Sequence, residues 1–338
     1  MSESDPTTEP LETTVDVVGR RATETFALLG NETRLAILIA LWEAYEPFDG
    51  DRWDPMETKA VPFEKLQDRI GVVDSDQLAY HLAKLEGTFV EATPAGYQLL
   101  TIGHNIVRTI ISNVGYRKPN LEPTEIDLSC QFCGSRTAIT YQNHRLYVVC
   151  TSCEGAFNLG DHHPSGLLWG GLMNPTGLQS RTPEEIHAAI TSEVHNNFAT
   201  RTGLVCPECI GELDLRVHIC EDHEPRHEAP CPACDRQWGT VARFACKTCK
   251  QASTWPVALI SFTHPLVEAF AWRHGFELGY GLRDMETSQW VADQHEAAKE
   301  ELVETDPVQV RITHRNDGEM IQLTFDEELN VIEYTQNY

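Results

Sequence analysis

The stretch Cys206-Pro207-Glu208-Cys209-Ile210-Gly211-Glu212-Leu213-Asp214-Leu215-Arg216-Val217-His218-Ile219-Cys220-Glu221-Asp222-His223 carries a pair of metal-ligating side chains at each end of an alternating apolar run. C-x-x-C is the spacing at which one tight turn aims two thiolates at a single ion, and Cys220/His223 keeps that spacing with an imidazole in second place. Leu213, Leu215 and Val217 share one face of the strand that joins the two pairs. At about 3.3 Å per residue its ends stand roughly 30 Å apart, too far for both pairs to meet on one ion. The next stretch mirrors the first: Cys231/Cys234, an extended run Asp235 to Ala245 interrupted at Gly239, then Cys246/Cys249. The short connection Glu224 to Pro230 turns the chain back. The expected pairing is therefore nested, with Cys206/Cys209 meeting Cys246/Cys249 and Cys220/His223 meeting Cys231/Cys234. A crossed pairing is the alternative. His218 and His227 lie near, but only His223 keeps the spacing.

A further set precedes this one. Cys130/Cys133 and Cys150/Cys153 flank two strand-like runs, Thr137 to Tyr141 and Leu146 to Val149, around the polar turn Gln142-Asn143-His144. A hairpin brings its ends together, so these four thiols should share one ion in a zinc ribbon. All 11 cysteines of the chain are then used. The sum is twelve ligands for three four-coordinate ions. Two sites would be tetrathiolate, and the third would combine three thiolates with one imidazole. Zinc is expected, with iron the alternative in a tetrathiolate site. Four protein ligands leave no open position, which makes these sites staples for small β units that lack a core of their own. A redox role would need one such pair, not five. Regulation through metal loss or thiol oxidation is a secondary possibility.

At 338 residues the chain should hold two or three domains. Its formal net charge of -25 is extreme, and only seven of its 26 basic residues are lysines. Acid enrichment with lysine depletion suits a cytoplasm crowded with salt, where screening removes self-repulsion. A halophilic source is expected, an ordinary acidic protein being the alternative. No run reaches the roughly 18 apolar residues of a membrane span, and Met1 to Pro10 does not read as a signal peptide, so a cytoplasmic location is expected.

Residues 1–19 read as a disordered acidic tail. Helical patterning begins near Arg21, breaks at Gly30-Asn31 and resumes from Glu32 to Tyr45, and Glu46 to Ala60 reads as a loop. Pro62 to Ile70 is a helix, Gly71-Val72-Val73 a turn, and Asp74 or Ser75 caps a helix Asp76 to Leu85. In that helix Leu78, Leu82 and Leu85 face the core, so Gln77, Tyr80, His81 and Lys84 face outward. Two short strands around Thr93-Pro94-Ala95-Gly96 and a helix Ile102 to Asn113 follow. This is the element order of a winged helix-turn-helix, whose second helix enters the major groove. Leu29 to Leu38 and Ser75 to Leu85 resemble the opening and the recognition helix of ArsR-type regulators. The whole chain, with cysteine pairs after the winged helix and a Thr263-His264-Pro265 helix start, resembles haloarchaeal ArsR-like transcription regulators.

The resemblance implies a dimeric regulator that binds double-stranded DNA, with Ser75, Gln77, Tyr80, His81 and Lys84 as the expected contacts and a protein partner or small-molecule effector elsewhere. Two features depart from it. Pro62 to Gly71 lacks the cysteines of metal-sensing members, and the expected wing, Thr88 to Leu100, holds no Lys or Arg. Residues 21–115 carry eight basic residues against fourteen acidic ones, so a docking or dimerisation module, in a zinc-ribbon adaptor that binds proteins, is the alternative.

The expected class is α+β: a winged helix-turn-helix at 20–118, a zinc ribbon plus helix at 119–200, a second zinc-binding β-ribbon at 201–260, and a small region at 261–338 with a helix and a hairpin. Thr182-Pro183-Glu184-Glu185 and Thr263 to His274 signal helices, and Asn316-Asp317-Gly318 signals a hairpin turn. His162-His163-Pro164 and the run Leu167 to Met173 read as core, or else as the lining of a small-molecule pocket. No Ser/His/Asp set, phosphate loop or three-ligand metal site stands out, and no enzymatic activity is expected.

Overall fold

The structure, a computed structural model, describes residues 14–45, 60–71, 74–114, 119–224, 227–278, 284–297 and 299–337. The start of the expected tail, nearly all of the loop Glu46 to Ala60, the turn residues Val72 and Val73, and the expected boundary at 118 lie outside them. The chain divides into two compact units, Met1–Gly115 and Tyr116–Tyr338.

The first unit runs α1 (Thr14–Leu29), α2 (Glu32–Glu43), α3 (Phe63–Ile70), α4 (Ser75–Leu85), β1 (Val90–Thr93), β2 (Gly96–Leu99) and α5 (Thr101–Val114). Helix α1 reaches back to Thr14, into the segment expected as tail. The break before α2 is chemical: the Asn31 side chain accepts from the Arg34 amide at 3.1 Å and caps the new helix. Ser75 is the first residue inside α4 rather than its cap; Asp74 occupies the cap position, and no side chain caps that end. Leu66, Leu78, Leu82, Leu85 and Phe89 are fully buried and join Ile37 and Leu38 in one core. Strands β1 and β2 pair antiparallel, and Val61 adds a bridge to Tyr97. A side chain at Gly96 (φ +133°) would stand 2.2 Å from the Val61 carbonyl oxygen, so only glycine lets that bridge form.

The second unit holds three antiparallel sheets. Strands β3 (Leu121–Ser129), β4 (Arg136–Gln142), β5 (Arg145–Cys150) and β6 (Leu167–Leu172) pair in that order. Helix α6 (Pro183–Thr202) follows, opened by a reciprocal capping box between Thr182 and Glu185. The second sheet is β7 (Leu213–Ile219), β8 (Thr240–Cys246) and β9 (Ala252–Pro256). Helices α7 (Val257–Ile260), α8 (Pro265–Arg273) and α9 (Met285–Ala297) lead to the third, β10 (Lys299–Thr305), β11 (Val308–Asn316), β12 (Glu319–Phe325) and β13 (Val331–Asn337).

The expected segments 119–200, 201–260 and 261–338 do not have separate cores. Val148 of β5, Phe244 of β8, Phe270 of α8 and Ile312 of β11 belong to one buried cluster. The sheets cover their main apolar faces by packing on a common core with α6 to α9, while Ala138, Tyr147, Val149 and Leu167 form a smaller cluster on the other face of the first sheet. Among the described residues no single helix is long and apolar enough to cross a membrane.

Candidate metal centres

The nested pairing is the one the fold builds. Strands β7 and β8 run antiparallel with Leu213 opposite Cys246 and Ile219 opposite Thr240. Cys206, Cys209, Cys246 and Cys249 gather at one end of this ribbon, and Cys220, His223, Cys231 and Cys234 at the other. Cys130, Cys133, Cys150 and Cys153 gather where the β4–β5 hairpin closes. In each set the ligand atoms all lie within 4.8 Å of one another. His218 is exposed on β7 and takes no part, and His227 is likewise outside the sets.

The local backbone explains why these turns present two sulfurs. In four of them the first cysteine's amide donates to the carbonyl five residues on: Cys130 to Ser135, Cys206 to Gly211, Cys231 to Arg236 and Cys246 to Gln251, at 2.7–3.0 Å. The residue after the second cysteine is left-handed each time, at Gly134, Ile210, Asp235 and Lys250. Amides at the tip of the turn then point at sulfur, as from Phe132 to Cys130 Sγ and from Thr248 to Cys246 Sγ, each at 3.4 Å. The turn at Cys150 is held differently, by its amide donating to Gly166. A side chain at Gly166 (φ +72°) would meet the Cys150 carbonyl oxygen at 2.3 Å. Glycine is therefore what lets the chain return to β6 beside the first centre.

Distance identifies the chemistry these sets suit. Cys130–Cys153 and Cys206–Cys249 sulfurs stand 3.7 Å apart, Cys133–Cys150 3.4 Å and Cys209–Cys246 3.5 Å. A disulfide requires about 2.05 Å. A tetrahedron with metal–sulfur bonds of about 2.3 Å has edges of about 3.8 Å. Three tetrads of soft ligands near that spacing, with every cysteine free, are compatible with structural zinc. In the mixed set, His223 Nδ1 lies 3.5 Å from Cys234 Sγ, and Nε2 lies 3.1 Å from the Gln237 carbonyl oxygen, which fixes the ring by accepting its N–H.

Protonation points the same way. Burial pushes the Cys130 thiol up to about 11 and Cys234 up to about 12, where Cys220 adds to the effect. Amides from Cys249 and Thr248 pull Cys246 down to about 6. Four crowded thiols cannot all ionise against their mutual repulsion, and a divalent cation removes that obstacle.

The second candidate face lies on α4. Ser75, Gln77, Tyr80 and Lys84 are exposed there, and His81 is half-buried, while Leu78, Leu82 and Leu85 are buried beneath. Lys84 sits over the Tyr80 ring at 5.6 Å, and the Tyr80 and His81 rings pack edge to face. The β1–β2 hairpin carries an exposed Gln98–Glu91 hydrogen bond and no basic residue. Sequence reasoning missed the amides and the Gln237 carbonyl that organise the ligands, because backbone groups leave no residue-type signal.

No curated protein and no solved structure matches the chain. A family described as a domain of unknown function (DUF7347) matches residues 22–110, which covers α2 to β2, the second half of α1 and most of α5. A second, described as a domain of unknown function (DUF7351), matches residues 127–331 and so takes in all three cysteine centres. That match covers more than half of the chain, which therefore belongs to the DUF7351 family.

Proposed function

We propose that the protein is a sequence-specific, DNA-binding transcription regulator that acts as a homodimer in the cytoplasm of a salt-loving archaeon. Its first unit works as a winged helix-turn-helix, and three structural zinc ions hold its second unit together. The observation that carries this reading is α4: three buried leucines fix its inner face, which leaves Gln77, Tyr80, His81 and Lys84 on the outer one. Amide, hydroxyl, imidazole and ammonium groups on one face of a short helix suit base edges and phosphates. An acidic unit at low salt repels DNA, whereas at about 1 M salt charges are screened within about 3 Å and base contacts can dominate. The test is a footprint on genomic DNA at multimolar salt. Wild type should protect defined sites, and Gln77→Ala with Lys84→Ala should abolish protection; unchanged occupancy refutes the role of α4.

The acidity of the first unit and the lack of any basic residue in its hairpin favour a second reading, a zinc-bearing adaptor whose first unit docks proteins. Its signature would be a partner retained at high salt together with an empty footprint.

A further inference from the structure

Strands β6 and β9 are edge strands of two different sheets, and together with α6 they line a cleft of about 460 Å³. Its polar lining is unfinished. Arg201 of α6 is 6% exposed, yet its Nε has no hydrogen-bond partner, and its guanidinium has no carboxylate within ion-pair distance among the described residues. Glu193 and Glu208 favour the guanidinium's charge only through longer-range attraction, so its buried Nε–H is left without a hydrogen-bond acceptor. Ser253 and Trp255 line the same cleft from one face of β9, and Gln251, just before the strand, continues their alternation. Gln251 Oε1, Ser253 Oγ and Trp255 Nε1 are buried, and none has a partner either.

We propose that this cleft binds a small organic monoanion, a carboxylate carried on a flat apolar body. The free groups decide the class. Arg201 Nε–H, Trp255 Nε1–H and the Ser253 hydroxyl donate, and Gln251 donates once its amide turns. An ionised carboxylate only accepts, and Arg–carboxylate pairing is among the stronger hydrogen bonds. Trp169 and Phe157 supply aromatic wall for the body of the ligand. The volume lies within the range of about 300–1,000 Å³ typical of small-molecule sites. Charge selects one carboxylate over a phosphate. Glu193, Glu208 and Asp235 line the cleft against Arg145, Arg201 and Arg236, so its formal charge is balanced and a doubly charged group meets more repulsion there than a monoanion does. The run Leu167 to Met173 thus has two roles: Leu168 belongs to the core, while Trp169, Gly170 and Gly171 face the cleft.

The site lies in the second unit and does not depend on what the first unit binds, so its test contains no DNA. Zinc-loaded full-length protein is titrated calorimetrically with benzoate, phenylacetate, indole-3-acetate, indole-3-acetamide, tryptamine and inorganic phosphate at constant ionic strength. At least one of the three carboxylates should bind, and indole-3-acetate should bind at least tenfold more tightly than its amide, with no heat from tryptamine. Arg201→Gln should reduce the acid-over-amide preference to less than threefold. Equal affinity for acid and amide, binding of phosphate alone, or no binding by any compound would overturn the proposal. Should Arg201→Gln fail to fold, as judged by zinc content, Trp255→Phe deletes a single N–H. It must still weaken indole-3-acetate at least threefold, and an unchanged affinity refutes the assignment.

Discussion

His223 and Gln237 are joined by a 3.1 Å contact between the imidazole Nε2 and the backbone carbonyl, and this contact leaves Nδ1 as the nitrogen that faces Cys234. The ring is therefore oriented before any ion arrives. Replacing His223 by Ala should lower the zinc content from three ions per chain to two, while His223→Cys should keep three. Elemental analysis of purified protein decides; three ions in the alanine variant would remove His223 from the ligand set.

The nested arrangement predicts which cysteines act together. Cys206→Ser and Cys249→Ser should each cost one ion, and the double variant no more than one. Cys206→Ser with Cys234→Ser should cost two. A crossed pairing would reverse neither single result but would separate Cys206 from Cys249 in the double variant.

Chelation should unfold the second unit and spare the first. The three tetrads sit in the second unit, whereas the first has its own core around Leu66, Leu78 and Leu82. Small metal-stapled sheets take much of their folding free energy from the ion. Hydrogen exchange in excess chelator should show lost protection in β4, β5, β7 and β8, with α2 and α4 still protected.

Within the first unit, Leu82→Ala should destabilise by about 2–5 kcal/mol because Leu82 is 1% exposed and its truncation leaves a cavity. Tyr80→Ala, on the exposed face of the same helix, should change stability by less than about 0.5 kcal/mol. Urea unfolding followed by helix signal compares them, and equal losses would mean that the outer face of α4 is covered.

Stability should fall in acid through two buried histidines. Burial holds His187 down to about 4 and His314 down to about 3. Both are neutral in the folded protein, while the unfolded chain takes up a proton near the ordinary value of 6.5. Folded values below unfolded ones mean that the stability is complete above about pH 6.5 and is lost as pH drops toward those lower values. Each histidine contributes a limiting slope of about 1.4 kcal/mol per pH unit. His187→Leu should remove about one proton from the slope between about pH 6 and 5, as read from urea midpoints; identical slopes would show that His187 is not buried as described.

The metal ligands were legible because residue type, spacing and strand length constrain each other. Strands β7 and β8 have seven residues rather than the ten or eleven expected, since the turns through Ile210 (φ +61°) and Asp235 (φ +55°) take the first positions of the two runs. Their span of about 20 Å still keeps the two ends apart. The hairpin at Asn316-Asp317-Gly318 was legible for a related reason, since Asp317 and Gly318 both adopt the positive φ their residue types favour. Strands β3, β10 and β13 were not. Lys299-Glu300-Glu301-Leu302-Val303-Glu304-Thr305 has no clean alternation, because an edge strand is held by its neighbour's backbone and has little apolar face of its own. The shared core escaped notice because packing between distant segments has no local period. Arg201, Gln251 and the β9 residues Ser253 and Trp255 escaped for the same reason, since a cleft between two sheets exists only after both have formed.

The nesting of two centres on one ribbon imposes an order of assembly. His223 and Cys234 are 11 positions apart, whereas Cys206 and Cys249 are 43 apart. Closing the longer span first costs about 1 kcal/mol more chain entropy than closing the shorter one. Once the inner ion has drawn β7 against β8, the ladder carries the outer cysteines toward each other like the teeth of a zipper. Loading should therefore proceed from the inside outward, and a stopped-flow titration should find that Cys220→Ser slows metal uptake at the outer centre, whereas Cys206→Ser leaves the inner rate unchanged.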